Sequence, residues 1–296
     1  MVVTKSMRVI QMPVVPRFWP KATRLIVLSD EHCGNVAGLT HPDCDVSYGQ
    51  EDGDEPKYHG SRRARQARQR SALWRWFEER IDAYRPFDVV LNNGDAIDGT
   101  GIRSGATELL CSDRDEQVEM AQAVLDFVAG RKADIYMTYG TPYHTGDVED
   151  WEDVLAREVH AKRIEGEGHY DVRGVQIAMK HNIGNTASPA SRFTALSNAQ
   201  IKQHLWALRG QQPKANIIIR SHVHRCLYAG EPGTRSYVTT TPGLQGLGSK
   251  YGIRRVDGLP IDFGFLVFDI LDLDHCFCMQ EIASLEMQRC AITKLP

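Results

Sequence analysis

The sequence predicts an α/β fold in a single domain of residues 1–296. Short apolar runs typical of buried strands occur at residues 25–28, 88–91 and 216–220, and helical patterns lie between them. From about residue 169 onward, apolar residues instead alternate with polar ones, as in strands that bury one face. These two patterns together indicate a mixture of helices and strands around one core.

Composition excludes several classes of protein. The chain has 296 residues, of which 42% are hydrophobic and 25% charged, and its net charge of −3 creates no overall field that requires a nucleic-acid partner. There is neither an apolar run of about 18 residues nor a secretory signal, so we expect a cytoplasmic protein without a membrane span. The seven cysteines are scattered and fit no disulfide framework or cysteine zinc site, which favours reduced thiols.

The first strand ends in a pair of polar side chains. After residues 25–28, Asp30 and His32 stand two positions apart, so their side chains point the same way if the chain is extended. Ligands of open α/β sheets bind beyond the carboxyl ends of strands. A carboxylate beside an imidazole is a common pair of metal ligands, although a capping aspartate next to an unrelated histidine explains so short a pattern as simply.

Residues 35–60 follow this strand and show no periodicity. They hold six acids between Asp43 and Glu55, together with several glycines and prolines. Loops of this length are uncommon inside compact domains and are usually functional or mobile. We therefore expect an insertion, which is either simply solvated or a lid over the site that begins at Asp30.

Residues 61–84 carry the clearest helical pattern, with an apolar stripe on one face and many arginines in the first half. The stripe consists of Ala64, Ala67, Ser71, Trp74, Phe77, Ile81 and Tyr84. The arginines are Arg62, Arg63, Arg65, Arg68 and Arg70. They fit a solvated face or a surface that contacts phosphate or nucleic acid, because guanidinium groups bind phosphate oxygens in pairs. Cations near a helix N-terminus oppose the helix dipole, which slightly favours a functional role.

Further helices are predicted at residues 112–128, 149–159 and 191–208, each bounded by capping or helix-breaking residues. The acids of the second helix are expected to face solvent. The apolar residues of the third are expected to face inward, namely Phe193, Leu196, Ile201, Leu205 and Leu208. Closing strands are predicted at residues 237–240, 263–271 and 277–282.

Acid and imidazole groups stand after every buried strand of this pattern. They are Asp30, His32, Asp95, His144, His181, His222 and His224. Burying several carboxylates and imidazoles together would cost several kcal/mol unless a cation compensates them. The pattern therefore predicts a metal centre, and two cations that share a carboxylate are a known arrangement for attack on phosphorus.

The order of these motifs resembles the calcineurin-like metallophosphoesterase family, over roughly residues 24–226. The matching motifs are Asp30-x-His32, Gly94-Asp95, His181 and Ser221-His222-x-His224. The resemblance implies a four-layer α/β/β/α sandwich with two mixed sheets. It implies a first metal bound by Asp30, His32, Asp95 and His224. It implies a second metal bound by Asp95, His181, His222 and, in the family, an asparagine.

The sequence departs from the family pattern in two places. Ser221 replaces a usual glycine, and Gly140-Thr141-Pro142-Tyr143-His144 replaces the G-N-H motif, so the asparagine ligand is missing. Thr141 can supply a weaker oxygen ligand. His144 can fill the vacant ligand position, or it can keep the family histidine's role of contacting phosphate and assisting the leaving group. We favour the latter and predict that His144 is catalytic.

The resemblance implies hydrolysis of a phosphoester by a hydroxide that bridges two divalent ions, for which Mn, Fe and Zn all suit the mixed ligands. The arginine-rich helix and the basic loop at residues 243–257 favour a phosphodiester, such as nucleic acid or a nucleotide. The predicted substrate-binding residues are Arg103, Lys250 and Arg254. The alternatives are a phosphomonoesterase or protein phosphatase and, from another class, a non-catalytic binding scaffold on a degenerate phosphoesterase fold.

Overall fold

The computed structural model describes residues 14–44, 62–146, 150–184, 191–231, 236–247 and 260–283, and within these ranges it contains eleven strands and five helices. The strands are β1 (Thr23–Leu28), β2 (Val89–Asn92), β3 (Asp134–Thr138), β4 (Arg163–Glu165), β5 (Gly168–Val172), β6 (Val175–Met179), β7 (Ile217–Arg220), β8 (Leu227–Glu231), β9 (Ser236–Thr240), β10 (Gly264–Ile270) and β11 (Cys276–Ile282). The helices are α1 (Arg62–Tyr84), α2 (Arg114–Ala129), α3 (Pro142–Thr145), α4 (Trp151–Glu158) and α5 (Thr194–Leu208).

The strands form two mixed sheets. The first has the order β11-β10-β1-β2-β3-β4, in which β1 to β4 run parallel to one another and β10 pairs antiparallel with both β1 and β11. The second has the order β5-β6-β7-β9-β8, in which β6, β7 and β9 run parallel. Apart from the edge strand β4, the parallel strands lie inside their sheets, as expected for strands whose two faces are both covered.

Three apolar clusters show that the layers are stacked α/β/β/α, which confirms the predicted fold class. One cluster lies between the first sheet and helices α1, α2 and α4, and a second lies between the two sheets. The third lies between the second sheet and α5. Strand β1 illustrates the alternation, because Ile26 and Leu28 belong to the helix-side cluster while Leu25 and Val27 belong to the cluster between the sheets.

Helix α1 buries the predicted stripe, but part of its arginine-rich half is not on the surface. Trp74, Phe77 and Ile81 are each 1% exposed or less, at the spacing that an amphipathic helix requires. Arg70 is also buried, and its guanidinium donates to the carbonyl oxygen of Val36 at 3.0 Å. Arg70 therefore does not belong to an exposed cationic face. The side chains of residues 62–65 lie outside the described residues.

Helix α5 corrects a prediction. Of the five apolar residues expected to face inward, only Leu196 is buried, at 1% exposure. Phe193, Ile201, Leu205 and Leu208 are exposed. The helix instead packs on the second sheet through a face that contains Leu196 and Gln203, because the small residues on that face allow a close approach. The prediction assumed that the large apolar residues face the core, whereas α5 packs on the second sheet through the side that carries its small residues.

Three other details were not foreseen. Strands β4 and β8 were missed, and Glu152 of α4 is completely buried rather than solvated. Of the predicted insertion at residues 35–60, residues 35–44 are described and residues 45–60 lie outside the described part of the chain. Residues 35–40 are buried in the body of the domain, where Asn35 and Gly38 form bridges to Leu109 and Gln245. Among the described residues, no helix has the length and apolar character needed to cross a membrane.

Candidate metal centre

The acid and imidazole groups predicted from strand ends converge on one location. They stand on loops that follow β1, β2, β3, β6 and β7, which are parallel strands inside the two sheets. The carboxyl ends of these strands therefore meet at one edge of the sandwich. The loops bring together Asp30, His32, Asp95, Asp98, Thr141, His144, His181, His222 and His224.

The backbone of these loops is strained at the functional residues. Asp30, His32, Asp95, His222 and His224 all have positive φ angles, between 46° and 73°. Residues other than glycine adopt this left-handed conformation rarely, at a cost of order 1–3 kcal/mol each. Five such residues around one point indicate that the fold holds these side chains in place for a reason other than stability.

The first group of possible ligands consists of Asp30, His32 and His224. The Nε2 atom of His224 lies 3.2 Å from Oδ1 of Asp30 and 3.3 Å from Nε2 of His32. Two imidazole nitrogens that face each other across a carboxylate oxygen form the arrangement that a shared cation stabilises.

The second group consists of Asp95, His181 and His222. The Nε2 atom of His181 lies 3.0 Å from Oδ2 of Asp95 and 4.0 Å from Oδ1 of Asp30, so the two groups adjoin each other. The Oγ1 atom of Thr141 lies inside this second group, 3.1 Å from Oδ2 of Asp95, 3.3 Å from His181 Nε2 and 3.2 Å from His222 Nδ1. Thr141 thus offers the additional oxygen that the missing asparagine would supply.

An unpartnered buried oxygen tests whether these residues fit metal ions. Asp30 is completely buried, and its Oδ2 accepts hydrogen bonds from Ser29 Oγ and from the backbone amide of His222. Its Oδ1 has no hydrogen-bond partner, although it faces His224 and His181. An orphaned carboxylate oxygen at this depth is costly, and a divalent cation on the neighbouring imidazoles removes that cost. The donor set therefore fits divalent metal ions.

Two contacts orient the imidazoles toward this point. The Nδ1 atom of His32 lies 3.1 Å from Oδ1 of Asp98, and Nδ1 of His181 lies 2.6 Å from the carbonyl oxygen of Asn93. Each acceptor places the ring proton on Nδ1 and leaves Nε2 free to bind a metal. Asn93 is itself held by Ser221 and Thr138, which links the loop after β2 to the second sheet.

A buried glutamate joins the loops that carry Asp95 and Thr141. Oε1 of Glu152 accepts from the backbone amide of Ala96 at 3.0 Å, and Oε2 accepts from that of Gly140 at 2.6 Å. The two loops approach so closely that a Cβ atom on Gly140 would lie 2.3 Å from Asp95. Only glycine fits there, and Glu152 fixes the spacing between the two loops.

His144 joins a third group, with His32 and Asp98. Its Nδ1 lies 2.9 Å from the carbonyl oxygen of Asp98 and 3.7 Å from Oδ1 of the same residue. Its ring centroid is 4.5 Å from that of His32. His144 therefore stands beside the first ligand group, away from the position that the asparagine would occupy in the second. Burial and, after it, the neighbouring His32 lower its pKa.

The charges of the site are strongly coupled. Burial alone would raise the pKa of Asp95, but the charge and hydrogen bond of His181 hold it well below its usual value. Burial opposes the protonated form of His181, yet Asp95 and Asp30 raise its pKa to about 10. In the same way Asp98 raises the pKa of His32 to about 9. These imidazoles are basic enough to hold protons or, in their place, divalent cations.

Of the predicted substrate-binding residues, only Arg103 is described. Its side chain is exposed, and its guanidinium carbon lies 4.3 Å from the centroid of the Tyr143 ring. Its backbone amide donates to Tyr143 Oη at 2.8 Å, which holds it beside the short helix α3 that carries His144. Lys250 and Arg254 lie outside the described residues.

Two residues of the site were not predicted, Asp98 and Glu152. Asp98 follows Asp95 by three positions in the same loop after β2, so a search for further acids in that loop would have found it. Glu152 carries no such signal, because its helix is separated from the strand ends and its neighbours in sequence are acids too.

Solved structures resemble the chain only remotely. Wild-type Vps29 from Entamoeba histolytica, complexed with Zn²⁺, is 15% identical with a TM-score of 0.40, covering 88% of this chain and 99% of that one. The phosphoesterase YfcE from E. coli is 12% identical with a TM-score of 0.39, covering 88% and 97%. An archaeal phosphodiesterase is 11% identical with a TM-score of 0.39, covering 88% and 100%. No protein-family model and no curated protein matches the chain. Similarity this low supports no conclusion about function, which has to come from the site.

Proposed function

We propose that the protein is a metal-dependent phosphoesterase whose substrate is a phosphodiester, such as nucleic acid or a nucleotide. The observation that carries the proposal is the convergence of two adjoining ligand groups, which meet where His181 faces both Asp95 and Asp30. Adjoining sites for two cations are the arrangement used for in-line displacement at phosphorus.

The residues of the two groups would hold one divalent cation each. The first cation would be held by Asp30, His32 and His224, and Asp95 of the second group would be shared between the two cations. The second cation would be held by Asp95, His181, His222 and Thr141. Bound there, Mn, Fe or Zn would polarise the phosphoryl oxygens and supply a deprotonated water as nucleophile near neutral pH.

The remaining residues act on the substrate directly. The Asp98 carbonyl accepts from Nδ1 of His144, which leaves Nε2 of the ring as the nitrogen that would donate a proton to the leaving oxygen. The lowered pKa of His144 makes its protonated form a stronger acid. Arg103, held by Tyr143 beside α3, supplies a positive charge for a phosphoryl oxygen.

The preference for a diester depends on the cationic residues near the site. Because Arg70 is buried, the nucleic-acid contact proposed for α1 depends on the arginines that precede it in the helix. Replacing Arg62, Arg63, Arg65 and Arg68 by alanine should weaken binding of single-stranded DNA and reduce its dependence on salt. Unchanged binding would remove nucleic acid from the proposal.

A substrate panel tests the activity itself. Protein loaded with Mn²⁺ or Zn²⁺ is expected to hydrolyse bis-p-nitrophenyl phosphate and single-stranded DNA faster than p-nitrophenyl phosphate. The Asp95→Asn variant should lose almost all activity on every substrate, because we propose that Asp95 is shared by both cations. Hydrolysis of the monoester alone would replace the diesterase by a monoesterase, and no hydrolysis with any metal would reject the enzyme.

The missing asparagine keeps a non-catalytic scaffold as the second candidate. Metal analysis of protein purified without a chelator separates the two, since a scaffold has no need for the ligands that this chain retains. We expect one to two transition-metal ions per chain if the two groups bind as proposed. Absence of bound metal would favour the scaffold.

A further inference from the structure

A cavity of about 610 Å³ lies between α5 and the outer face of the second sheet. Ile218 of β7 packs under α5, whereas Ile219 packs between the sheets, so the side chain of Arg220 lies on the α5 side. The ladder continues through Lys180, whose amide donates to the carbonyl oxygen of Ile219, and Lys180 also lines the cavity. The cavity is thus formed by residues distinct from those of the metal centre. Its volume is in the range of pockets that bind small organic ligands.

The cavity has an excess of positive charge. Arg220, Lys180 and Lys202 line it, and among the described residues around it the one carboxylate is that of Glu167. Glu167 lies 3.4 Å from Nη2 of Arg220 and 3.9 Å from Nζ of Lys180, so it is shared between two cations and leaves the third unmatched. Arg220 is only 7% exposed. Its Nη1 donates to the carbonyl oxygens of Ile219 at 2.8 Å and Ala178 at 3.5 Å, which neutralise no charge, so Glu167 is the carboxylate that compensates it. A buried guanidinium whose carboxylate is shared with a lysine favours a bound anion, and its planar fork fits phosphate oxygens.

The cavity also has an aromatic ring and side-chain amides in its lining. Trp206 lines it, 47% exposed, one helical turn after Lys202 and on the same side of α5. Gln203 is 2% exposed, and its Nε2 donates to the carbonyl oxygen of Pro213. Gln203 therefore forms part of the cavity wall and is tied to the segment that follows α5. The side-chain amides of Asn182 and Asn198 add further hydrogen-bonding groups.

We propose that this cavity binds a mononucleotide, with its phosphate on Arg220, Lys180 and Lys202 and its base against Trp206. The cations match the charge of the phosphate. The indole face matches a planar ring, and the side-chain amides of Asn182 and Asn198 match the hydrogen-bonding groups of a base. The assignment is independent of the metal centre and of the reaction that takes place there.

Fluorine NMR tests this site selectively. The chain has five tryptophans, so labelling with 5-fluorotryptophan should give five resonances, and the Trp206→Phe variant assigns one of them to Trp206. Adenosine monophosphate is expected to shift this resonance saturably, and ³¹P spectra of the same sample check that the ligand stays intact. Adenosine alone and inorganic phosphate alone should each bind at least about tenfold more weakly than the nucleotide. Adenosine lacks the contacts of the phosphate with the cations, and inorganic phosphate lacks the contact of the base with Trp206. Inorganic phosphate that binds as tightly as the nucleotide would overturn the assignment.

Variants on α5 provide the control. Lys202→Gln changes an exposed side chain and should weaken binding of the nucleotide several-fold while leaving adenosine unaffected. Leu208→Ala lies on the solvent side of the same helix, 83% exposed, and should leave binding unchanged. A Trp206 resonance that does not move at millimolar nucleotide, or equal affinity in the wild type and Lys202→Gln, would refute the proposal.

Discussion

At the scale of single residues, the site depends on a few side chains that several contacts hold in place. Thr141 is the clearest case, because its hydroxyl lies within 3.3 Å of Asp95, His181 and His222. Its backbone amide also donates to Oδ1 of Asp95 at 2.5 Å. One residue thus both positions a carboxylate and offers an oxygen to the same group.

Thr141→Ala removes that oxygen and should lower the affinity for the second of two metal ions by about tenfold or more. This is a typical cost of losing a contact around a metal site. The first ion should bind as before, since the first group does not include Thr141. Calorimetric titration with Mn²⁺ measures both steps. Thr141→Ser keeps the hydroxyl and serves as the control; equal weakening of both ions in the alanine variant would show that Thr141 acts only on the fold.

Glu152 makes a second residue-scale prediction, which concerns pH. Burial raises its pKa from 4.5 to about 8, with repulsion from Asp95 adding to the effect. Below pH 4.5 the carboxyl is protonated in both the folded and the unfolded chain, so it adds nothing to the change of the free energy of unfolding with pH. Between 4.5 and about 8 only the folded chain holds the proton, so the free energy of unfolding falls as pH rises, by about 1.4 kcal/mol per unit.

The Glu152→Gln variant should lose this dependence. Glutamine can accept only one of the two backbone amides, so we expect it to be less stable than the wild type at pH 5 by about 1–3 kcal/mol. This difference in the free energy of unfolding between the wild type and the variant should narrow or reverse by pH 8. Denaturant unfolding of both proteins in the presence of a chelator measures the difference, in which the other titrating groups cancel. A gap that stays constant from pH 5 to pH 8 would contradict the assignment.

At the scale of elements, a helix is positioned by the face that fits, which is not always its most apolar face. Helix α1 follows its stripe because large residues at helical spacing fill the space above the first sheet. Helix α5 has apolar residues on several sides, and the side with Leu196 lies closest to Ala178, Ile218 and Val238. Its remaining leucines are left in solvent.

This difference predicts opposite effects of two similar substitutions. Leu196→Ala should lower the free energy of unfolding by about 2–5 kcal/mol, because it empties a closed part of the core. Leu208→Ala should change it by no more than about 0.5 kcal/mol, because that side chain is 83% exposed. Urea unfolding compares the two variants. A large loss in Leu208→Ala would mean that the solvent-facing side of α5 is covered in solution.

At the scale of the whole molecule, the candidate metal centre lies where loops of the two sheets meet at one edge. Loops from both sheets contribute ligands, with Asp30 and Asp95 from the first and His181, His222 and His224 from the second. Each of the two groups has residues from both sheets, so a cation bound in either group would crosslink the sandwich. Ions that bind the folded chain alone stabilise it by mass action, by about 2.7 kcal/mol at a hundred times the dissociation constant.

Metal removal should consequently lower the Tm of the whole domain. We expect a drop of several degrees when Mn²⁺ or Zn²⁺ is removed by a chelator, and recovery when the ion is returned. Differential scanning calorimetry measures it. The Asp95→Asn variant should show a much smaller response to the same ions, and an identical response in both proteins would place the bound metal elsewhere.

The sequence by itself determined most of the strands, the stripe of α1 and the identity of the acids and imidazoles that converge. These features are local, because strand and helix periodicities are written in neighbouring residues and parallel strands end at a common edge. It also identified Thr141 and His144 as the two residues that could take the place of the missing asparagine ligand, without deciding which of them does so.

Only the tertiary structure decided which of them stands in the second ligand group, which face of α5 is buried, and that Glu152 and Arg70 lie inside. Each depends on contacts between distant segments, such as the approach of Gly140 to Asp95 or of Arg70 to Val36. Whether a side chain is buried depends on the surface that packs against it, and other parts of the chain provide that surface. A sequence pattern shows which residues are available, whereas long-range packing selects which of them are used.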